Sequence, residues 1–160
     1  MSTLKIEIRE SIQINANDYG SYNAINVNGI NEVSKRMVTI PTTEQEIISL
    51  STTVGSGTFI EGDVRYIRIT NLSTDNPVIL TFKNEEIDNT HGEFAIKLDK
   101  GISFIYSGIS GSGVVNTMDA TGSSAVSLGP NGPNMKDLTS ISAQSSGSTS
   151  SDIEYFVASI

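Results

Sequence analysis

The stretch "GEFAIKLDKGISFIYSG", residues 92–108, shows most directly how this chain folds. Apolar residues alternate with other residues on both sides of Asp99-Lys100-Gly101, which is the period-two pattern of half-buried strands. A three-residue connection that ends in glycine is typical of a hairpin loop, because glycine has no Cβ to oppose a left-handed backbone. We therefore predict a β-hairpin with three apolar cross-strand pairs on one face: Phe94 with Tyr106, Ile96 with Phe104 and Leu98 with Ile102. Such a face needs a second layer of protein to cover it.

Similar strand-like segments recur along the chain. "RYIRIT" (65–70) and "PVILTFK" (77–83) flank the turn "NLSTDN" and predict a second hairpin, with Pro77 where a strand begins. Ile67 and Ile69 point to one side of the first segment and Val64 and Tyr66 to the other, which favours a central strand covered on both faces. "TTEQEIISL" (42–50) fits a capped helix or a strand, and we favour the strand.

The chain is long enough for one domain with a core, at 160 residues and 17.1 kDa. Residues 108–151 are loop-rich in Ser, Gly, Thr, Asn and Pro, with apolar islands such as Leu138 to Ile141, and "DIEYFVAS" (152–159) restores strand alternation. We therefore predict an all-β fold: one antiparallel β-sandwich domain of jelly-roll type over residues 1–160, with a loop-rich Ser/Gly segment before the C-terminal strand.

The N-terminal segment, residues 1–18, is predicted to be an arm or an edge strand. Its apolar residues fall on one side when it is extended, interrupted on that side only by Glu10. This pattern suits an arm that pairs with a neighbouring chain or docks on a larger particle, and it equally suits a strand within the domain's own sheet. The interface candidates are Leu4, Ile6, Ile8, Ile12 and Ile14.

Composition excludes several classes of function. The formal net charge of −8 and the pI near 4.5 argue against a nucleic-acid partner, because the polyanion would be repelled. The chain has no cysteine, which excludes disulfides, thiolate zinc sites and cysteine nucleophiles. We expect a soluble protein made in the cytoplasm with no membrane partner, since there is no signal-peptide pattern and no apolar run of membrane-spanning length.

No motif predicts catalysis or a bound cofactor or metal. The single histidine, His91, lies in a polar stretch beside Gly92 and reads as a solvated loop residue. The acidic group Glu85, Glu86 and Asp88 lacks the ligand spacing of a calcium loop. The glycine-rich "VGSG" and "GISGSG" lack the lysine and the helix of a phosphate-binding loop. We therefore predict a protein that is not an enzyme, with no catalytic, cofactor-binding or metal-binding residues.

The basic residues do not predict a phosphate-binding surface, and the aromatic residues do not predict a carbohydrate-binding surface. Arg65 and Arg68 point to opposite faces of a strand, which argues against one phosphate-binding surface, and we expect both to be salt-bridged surface residues. A carbohydrate platform would need exposed aromatic rings. The chain has no tryptophan, and we expect Tyr19 and Tyr22 to be partly buried.

Several segments resemble one protein family. "GINEVSKRMVTIPTTEQEIISL", "GTFIEGDVRYIRITNLS", "FAIKLDKGISFIY", "VVNTMDA" and the closing "DIEYFVAS" are similar to segments of small virion structural proteins of tailed phages, especially those infecting marine cyanobacteria and their relatives. The resemblance covers roughly residues 25 to 120 and the last eight, and the chain departs from it between Gly122 and Ser151. It implies a β-sandwich or jelly-roll unit displayed on the particle, most often as a capsid decoration or cement protein, and commonly a homotrimer.

The resemblance leads to one expected function, which also agrees with the lack of predicted catalytic, cofactor-binding and metal-binding residues. We expect a non-enzymatic phage structural protein on the capsid exterior of the virion, synthesised in the host cytoplasm. It would bind the major capsid protein and other copies of itself and stabilise the viral capsid. A tail, neck or fibre component with a role in host recognition is one alternative, and a carbohydrate-binding module is another.

Overall fold

A computed structural model describes residues 2–84, 93–107, 126–127, 134–135 and 138–160, and every regular element in these ranges is a β-strand. The strands are β1 (Ser2–Arg9), β2 (Gln13–Ile14), β3 (Asn17–Asp18), β4 (Tyr22–Ile30), β5 (Glu32–Ile40), β6 (Gln45–Ser51), β7 (Thr58–Ile60), β8 (Val64–Asn71), β9 (Val78–Asn84), β10 (Glu93–Leu98), β11 (Ser103–Ser107), β12 (Val126–Ser127), β13 (Asn134–Met135), β14 (Leu138–Ser145) and β15 (Ser151–Ser159).

Two sheets form a sandwich. One has five strands in the order β10-β9-β14-β6-β7, and the other has four in the order β11-β8-β15-β5. All pairs are antiparallel except β6 with β7. The chain crosses from one sheet to the other between β5 and β6, β7 and β8, β8 and β9, β10 and β11, and β14 and β15, and β11 and β14 also lie in different sheets. This is the strand order of a jelly roll, and the predicted all-β sandwich is confirmed.

The core lies between the sheets and is built by strict alternation. Every second residue of β9 is buried, and the same side of β8 contributes Ile67 and Ile69. The opposite side of β8 carries Tyr66, which is buried in a second apolar cluster, so the prediction of a central strand covered on both faces is confirmed. Val64 was expected on the side of Tyr66, and this is wrong, because Val64 belongs to the core between the sheets. The strand prediction for β6 is also confirmed, as is the position of Pro77 just before β9.

The hairpin predicted for residues 92–108 is wrong. β10 pairs with β9, and β11 pairs with β8 in the other sheet, so Asp99-Lys100-Gly101 carries the chain across the sandwich. Gly101 has the expected left-handed backbone, with φ of 72°. The buried side chain of Asn71 supports the crossing by donating to the Leu98 carbonyl at 3.1 Å. Alternation specifies which side chains are buried, but two apolar faces are buried equally well when they meet across a core.

Because β10 and β11 lie in different sheets, aromatic rings from both sheets meet in the core. Phe82 of β9 stacks on Phe94 of β10, with centroids 4.7 Å apart, and meets Phe104 of β11 at 5.0 Å across the sandwich. An apolar cavity of about 200 Å³ lies among these rings, Tyr106 and Leu138. The two halves of the quoted stretch therefore lie in different sheets, and Phe82 contacts one aromatic ring of each half.

The second predicted hairpin is wrong for the same reason. β8 pairs with β11 and β15, whereas β9 pairs with β10 and β14, so "NLSTDN" also connects the two sheets. Within the stretch expected to be loop-rich, the island from Leu138 belongs to β14, a central strand of the five-stranded sheet. His91 and the acidic group Glu85, Glu86 and Asp88 lie outside the described residues.

Candidate interaction surface

The N-terminal part of the chain forms one long β-hairpin that belongs to neither sheet of the sandwich. β1 pairs with β4, and β2 pairs with β3. A single register runs from Thr3 opposite Asn28 to Ile14 opposite Asn17. Between the paired segments, Glu10 and Ser21 exchange two backbone hydrogen bonds of 2.8 and 3.1 Å. At about 3.3 Å per residue, this hairpin is about 40 Å long.

A two-residue turn closes the hairpin. Asn15 and Ala16 have φ values of 54° and 65°, so both central residues are left-handed, as in a type I′ turn. The twist of this turn matches the right-handed twist of the flanking strands. Asparagine tolerates this conformation, but alanine at the second position is unfavourable because its Cβ approaches the following carbonyl oxygen.

The hairpin has one apolar face and one polar face. Strand alternation and the register place all of the interface candidates on a single face, together with residues of the opposite strand: Leu4, Ile6, Ile8, Ile12, Ile14, Tyr19, Ile25 and Val27. The other face is polar. On it, Lys5 forms an ion pair with Glu7 at 2.8 Å, and the Tyr22 hydroxyl donates to the same carboxylate. The Lys5 hydrogen bond, followed by that of Tyr22, lowers the pKa of Glu7.

The base of the apolar face is fixed to the sandwich. Ile6, Val27 and Ile30 are buried against Tyr66 and Ala158 on the outer side of the four-stranded sheet, with Leu4, Ile25 and Phe156 around them. The rings of Tyr66 and Phe156 meet edge to face, with centroids 5.8 Å apart. Burial raises the pKa of the Tyr66 hydroxyl, an effect that nearby Arg68 opposes. The hairpin therefore has a defined orientation relative to the sandwich.

The distal half of the same face is exposed. Ile8 is 40% exposed, Ile12 51%, Ile14 49% and Tyr19 63%. An isolated two-stranded ribbon is marginally stable in water, and contiguous exposed apolar residues mark interaction sites. The structure thus separates the five candidates into two groups. Leu4 and Ile6 pack within the chain, whereas Ile8, Ile12 and Ile14 are open to a partner.

The two tyrosines of the hairpin are both exposed, and the expectation of partial burial is wrong. Tyr19 is 63% exposed and Tyr22 61%. Since Tyr19 pairs with Ile12 through a backbone hydrogen bond and Tyr22 lies opposite Arg9, alternation directs the two rings to opposite faces. They do not form one flat aromatic platform of the kind that a sugar ring stacks on.

The two arginines of β8 have different surroundings. Tyr66 lies opposite Ala158 and Val64 opposite Ser159, so Arg65 is the extra residue of a bulge and regular alternation does not fix its face. Arg68 donates to the Glu154 carboxylate at 2.5 Å on the outer side of the sheet, where Lys35 reaches the same carboxylate at 3.0 Å. Arg65 is buried and donates to the backbone carbonyls of Gly62 and Val64 at 2.7 and 3.2 Å. The expectation of a surface position is therefore wrong for Arg65. A buried guanidinium requires such acceptors because an unpaired buried charge is costly.

A second feature is a cleft of about 410 Å³ where the two sheets separate. It lies beside β5, the edge strand of the four-stranded sheet, and β7, the edge strand of the other. Ile40 and Val38 of β5 face the core, but the next residues on that side are Arg36, Ser34 and Glu32, which line the cleft. A sequence signal for this cleft exists, because the apolar alternation of Ile40 and Val38 is not continued at Arg36, Ser34 and Glu32.

The described ranges hold no candidate for a metal site or for a membrane-spanning helix. No three His, Asp or Glu side chains of the residues in these ranges come close enough to hold a metal ion. None of the described residues belongs to a helix that is long and apolar enough to cross a membrane.

Comparison with known proteins adds little to this description. No family model and no curated protein matches the chain. One solved structure, titled "Bacillus endospore appendages form a novel family of disulfide-linked pili", aligns with a TM-score of 0.37 and 10% sequence identity. The alignment covers 83% of this chain and 92% of that chain.

Proposed function

We propose that this chain is a non-enzymatic structural protein of a phage virion that decorates the outer capsid surface as an oligomer, contacts the major capsid protein and stabilises the shell. One observation carries the proposal: the distal half of the N-terminal hairpin presents Ile8, Ile12, Ile14 and Tyr19 to the outside on a single face. A rigid sandwich with a projecting apolar element is suited to holding proteins together. The phage assignment itself comes from the sequence resemblance.

The energetics of such a contact are those of buried apolar surface. A stable protein interface buries on the order of 1,200–2,000 Å² in total, and one hairpin face supplies only part of this. Several copies meeting on one particle multiply a weak contact through their effective concentration. The net charge of −8 suits a position outside a DNA-filled shell, since contact with the genome would be repulsive.

The proposal is tested by shortening the hairpin without disturbing its register. Glu10 and Ser21 form a hydrogen-bonded pair, so replacing residues 11–20 by Asn-Gly gives a two-residue type I′ loop on the same ladder. The base packing of Ile6 and Val27 stays in place. We expect wild-type protein to bind purified particles of the encoding phage in a copy number comparable to that of the major capsid protein, and the shortened variant to lose this binding.

Ile12→Ser is the matched point variant, and Ile102→Ser is its control. Both side chains are about half exposed, at 51% and 53%, but Ile102 lies outside the hairpin. Binding should fall with Ile12→Ser and stay unchanged with Ile102→Ser. A wild-type copy number that matches one vertex or a tail would reject the capsid position, and normal binding by the shortened variant would reject the role of the hairpin.

A further inference from the structure

Arg36 occupies an unusual position for a charged residue. It lies on the side of β5 that faces between the sheets, in line with the core residues Val38 and Ile40. Tyr155 is its direct cross-strand neighbour on β15 and lines the same cleft. Within the described part of the chain, no acidic side chain pairs with Arg36, and the Tyr155 hydroxyl has no hydrogen-bond partner. A cation that faces an open cleft without a counter-ion is available to an external carboxylate.

The edge of β5 beside this cleft is free. β5 is a nine-residue strand at the end of its sheet, and none of the described strands pairs with its outer edge. A long unpaired edge is a template for an added strand. In such an addition, backbone hydrogen bonds supply affinity, and alternate side chains of the added strand enter the adjoining pocket and supply specificity.

The cleft sets the pattern that the added strand must have. Ser34, Arg36 and Val38 point inward at intervals of about 6.5 Å, so an added strand places its own alternate residues beside them. The walls next to Arg36 include the apolar side chains of Ile47 and Phe59. Glu32 is two inward positions away from Arg36, at about 13 Å along the strand, and makes that end of the cleft acidic. The matching strand therefore has a carboxylate flanked on the same face by apolar residues.

The hairpin of this chain carries that pattern. On its apolar face, Ile8, Glu10 and Ile12 follow one another at the same two-residue spacing, and all three are exposed. Glu10 is the residue that interrupts the apolar stripe. Its Oε2 accepts a hydrogen bond from the Ser21 hydroxyl, whereas Oε1 accepts none from the residues that the structure describes. Residues 10–21 contain Glu10 and Asp18 and no lysine or arginine, which favours a site with a positive charge.

We propose that the hairpin of one copy docks along the free edge of β5 of a second copy, with Glu10 paired to Arg36 and with Ile8 and Ile12 against the apolar walls of the cleft. This inference rests on the proposed role of the hairpin as a protein-binding element and names its partner as the same chain. The contact joins two different surfaces, so it is head-to-tail, and repetition of it closes a ring or extends a filament.

Charge exchange tests the pairing on purified full-length protein. The measurement is the molar mass and association constant by analytical ultracentrifugation over a range of concentrations. We expect the wild-type chain to self-associate, and Glu10→Arg and Arg36→Glu each to weaken association by more than about tenfold. The double variant, which restores the pair with reversed signs, should recover most of the loss. Recovery is a result that two independent structural defects would not produce.

Two controls isolate the effect. Glu93→Arg and Lys100→Glu make the same charge changes at exposed positions outside the hairpin and cleft, and they should leave association unchanged. At a concentration where the wild type is monomeric, thermal unfolding of each single variant should match that of the wild type, because Glu10 and Arg36 are both exposed in one copy. A wild-type chain that stays monomeric, or a double variant as weak as the single variants, would overturn the inference.

The outcome also separates this inference from the proposed function. Particle binding by an oligomer whose assembly is unchanged by Glu10→Arg and by Arg36→Glu retains the proposed function and rejects the pairing of Glu10 with Arg36. Self-association that follows the charge-exchange pattern, without any binding to particles, supports the pairing and rejects the virion role.

Discussion

At the scale of single residues, the orientation of the hairpin depends on one backbone conformation. Thr3 lies opposite Asn28 and Ser2 opposite Ile30, so Gly29 is an extra residue at this point of the ladder. Its φ of 81° lies in the left-handed region, where residues with a Cβ are strained. Such a bulge bends the strand, and the chain enters β5 three residues later, at Glu32.

Gly29→Ala should therefore lower the free energy of unfolding by about 1–2 kcal/mol through backbone strain. The nearest atom to an added Cβ is Ile160 Cγ2 at 3.8 Å, so a steric clash does not contribute. Gly101→Ala is the matched control, since its φ is 72°, nothing lies within 4 Å of the added Cβ, and Gly101 lies outside the hairpin and the cleft. Urea denaturation should show a similar loss for both, whereas self-association should weaken only for Gly29→Ala. Equal association of the two variants would show that Gly29 does not orient the hairpin.

At the scale of elements, β15 connects the two sides of the four-stranded sheet. Its inward residues, Ile153, Tyr155 and Val157, belong to the core. Outward, Glu154 lies between Lys35 of β5 and Arg68 of β8, so one carboxylate links three neighbouring strands. Hydrogen bonds from Lys35, and then from Arg68, lower the pKa of Glu154.

A carboxylate with a lowered pKa in the folded state stabilises that state above its ordinary pKa, and this stabilisation is lost as the pH falls through the folded value. Glu154→Gln should lower the free energy of unfolding by about 1 kcal/mol at neutral pH. The difference from the wild type should shrink as the pH falls below about 4. Asp99→Asn is the control, because its ion pair with Lys97 is exposed and should contribute little. A difference that persists unchanged at about pH 3 would contradict the ionic origin.

At the scale of the whole molecule, two apolar clusters have separate roles. The larger lies between the sheets, and the smaller joins the hairpin base to the outer face of the four-stranded sheet. The distal hairpin contributes to neither cluster. The fold therefore supports a projecting element whose removal should affect assembly and leave the sandwich intact.

The shortened hairpin, with Asn-Gly in place of residues 11–20, should unfold at nearly the wild-type temperature because every buried side chain is retained. Ile6→Ala, by contrast, removes a side chain that is only 7% exposed, and it should cost about 2 kcal/mol or more. Calorimetry of the two variants distinguishes these cases. A large loss of stability on shortening would mean that the distal hairpin supports the sandwich and is not a free interaction element.

Sequence patterns were sufficient to predict which side of a strand is apolar and which fold class results. Alternation in β8, β9 and β10 depends only on the neighbours of each residue along the chain, so it can be read without knowing the fold. The same holds for the left-handed turn at Gly101 and for the apolar side of the N-terminal segment. The residues of the candidate surface from Leu4 to Ile14 were found in this way.

Strand pairing and exposure were decided only by the tertiary structure. The pattern around Asp99-Lys100-Gly101 fits a hairpin and a crossing between sheets equally well, because both arrangements bury the same side chains. The choice depends on partners far away in the sequence, β8 and β9. Likewise, Ile6 and Ile12 follow the same pattern, but only Ile6 meets Tyr66, while Ile12 extends beyond the sandwich. Local sequence determines the face of a strand, and long-range packing determines what covers that face.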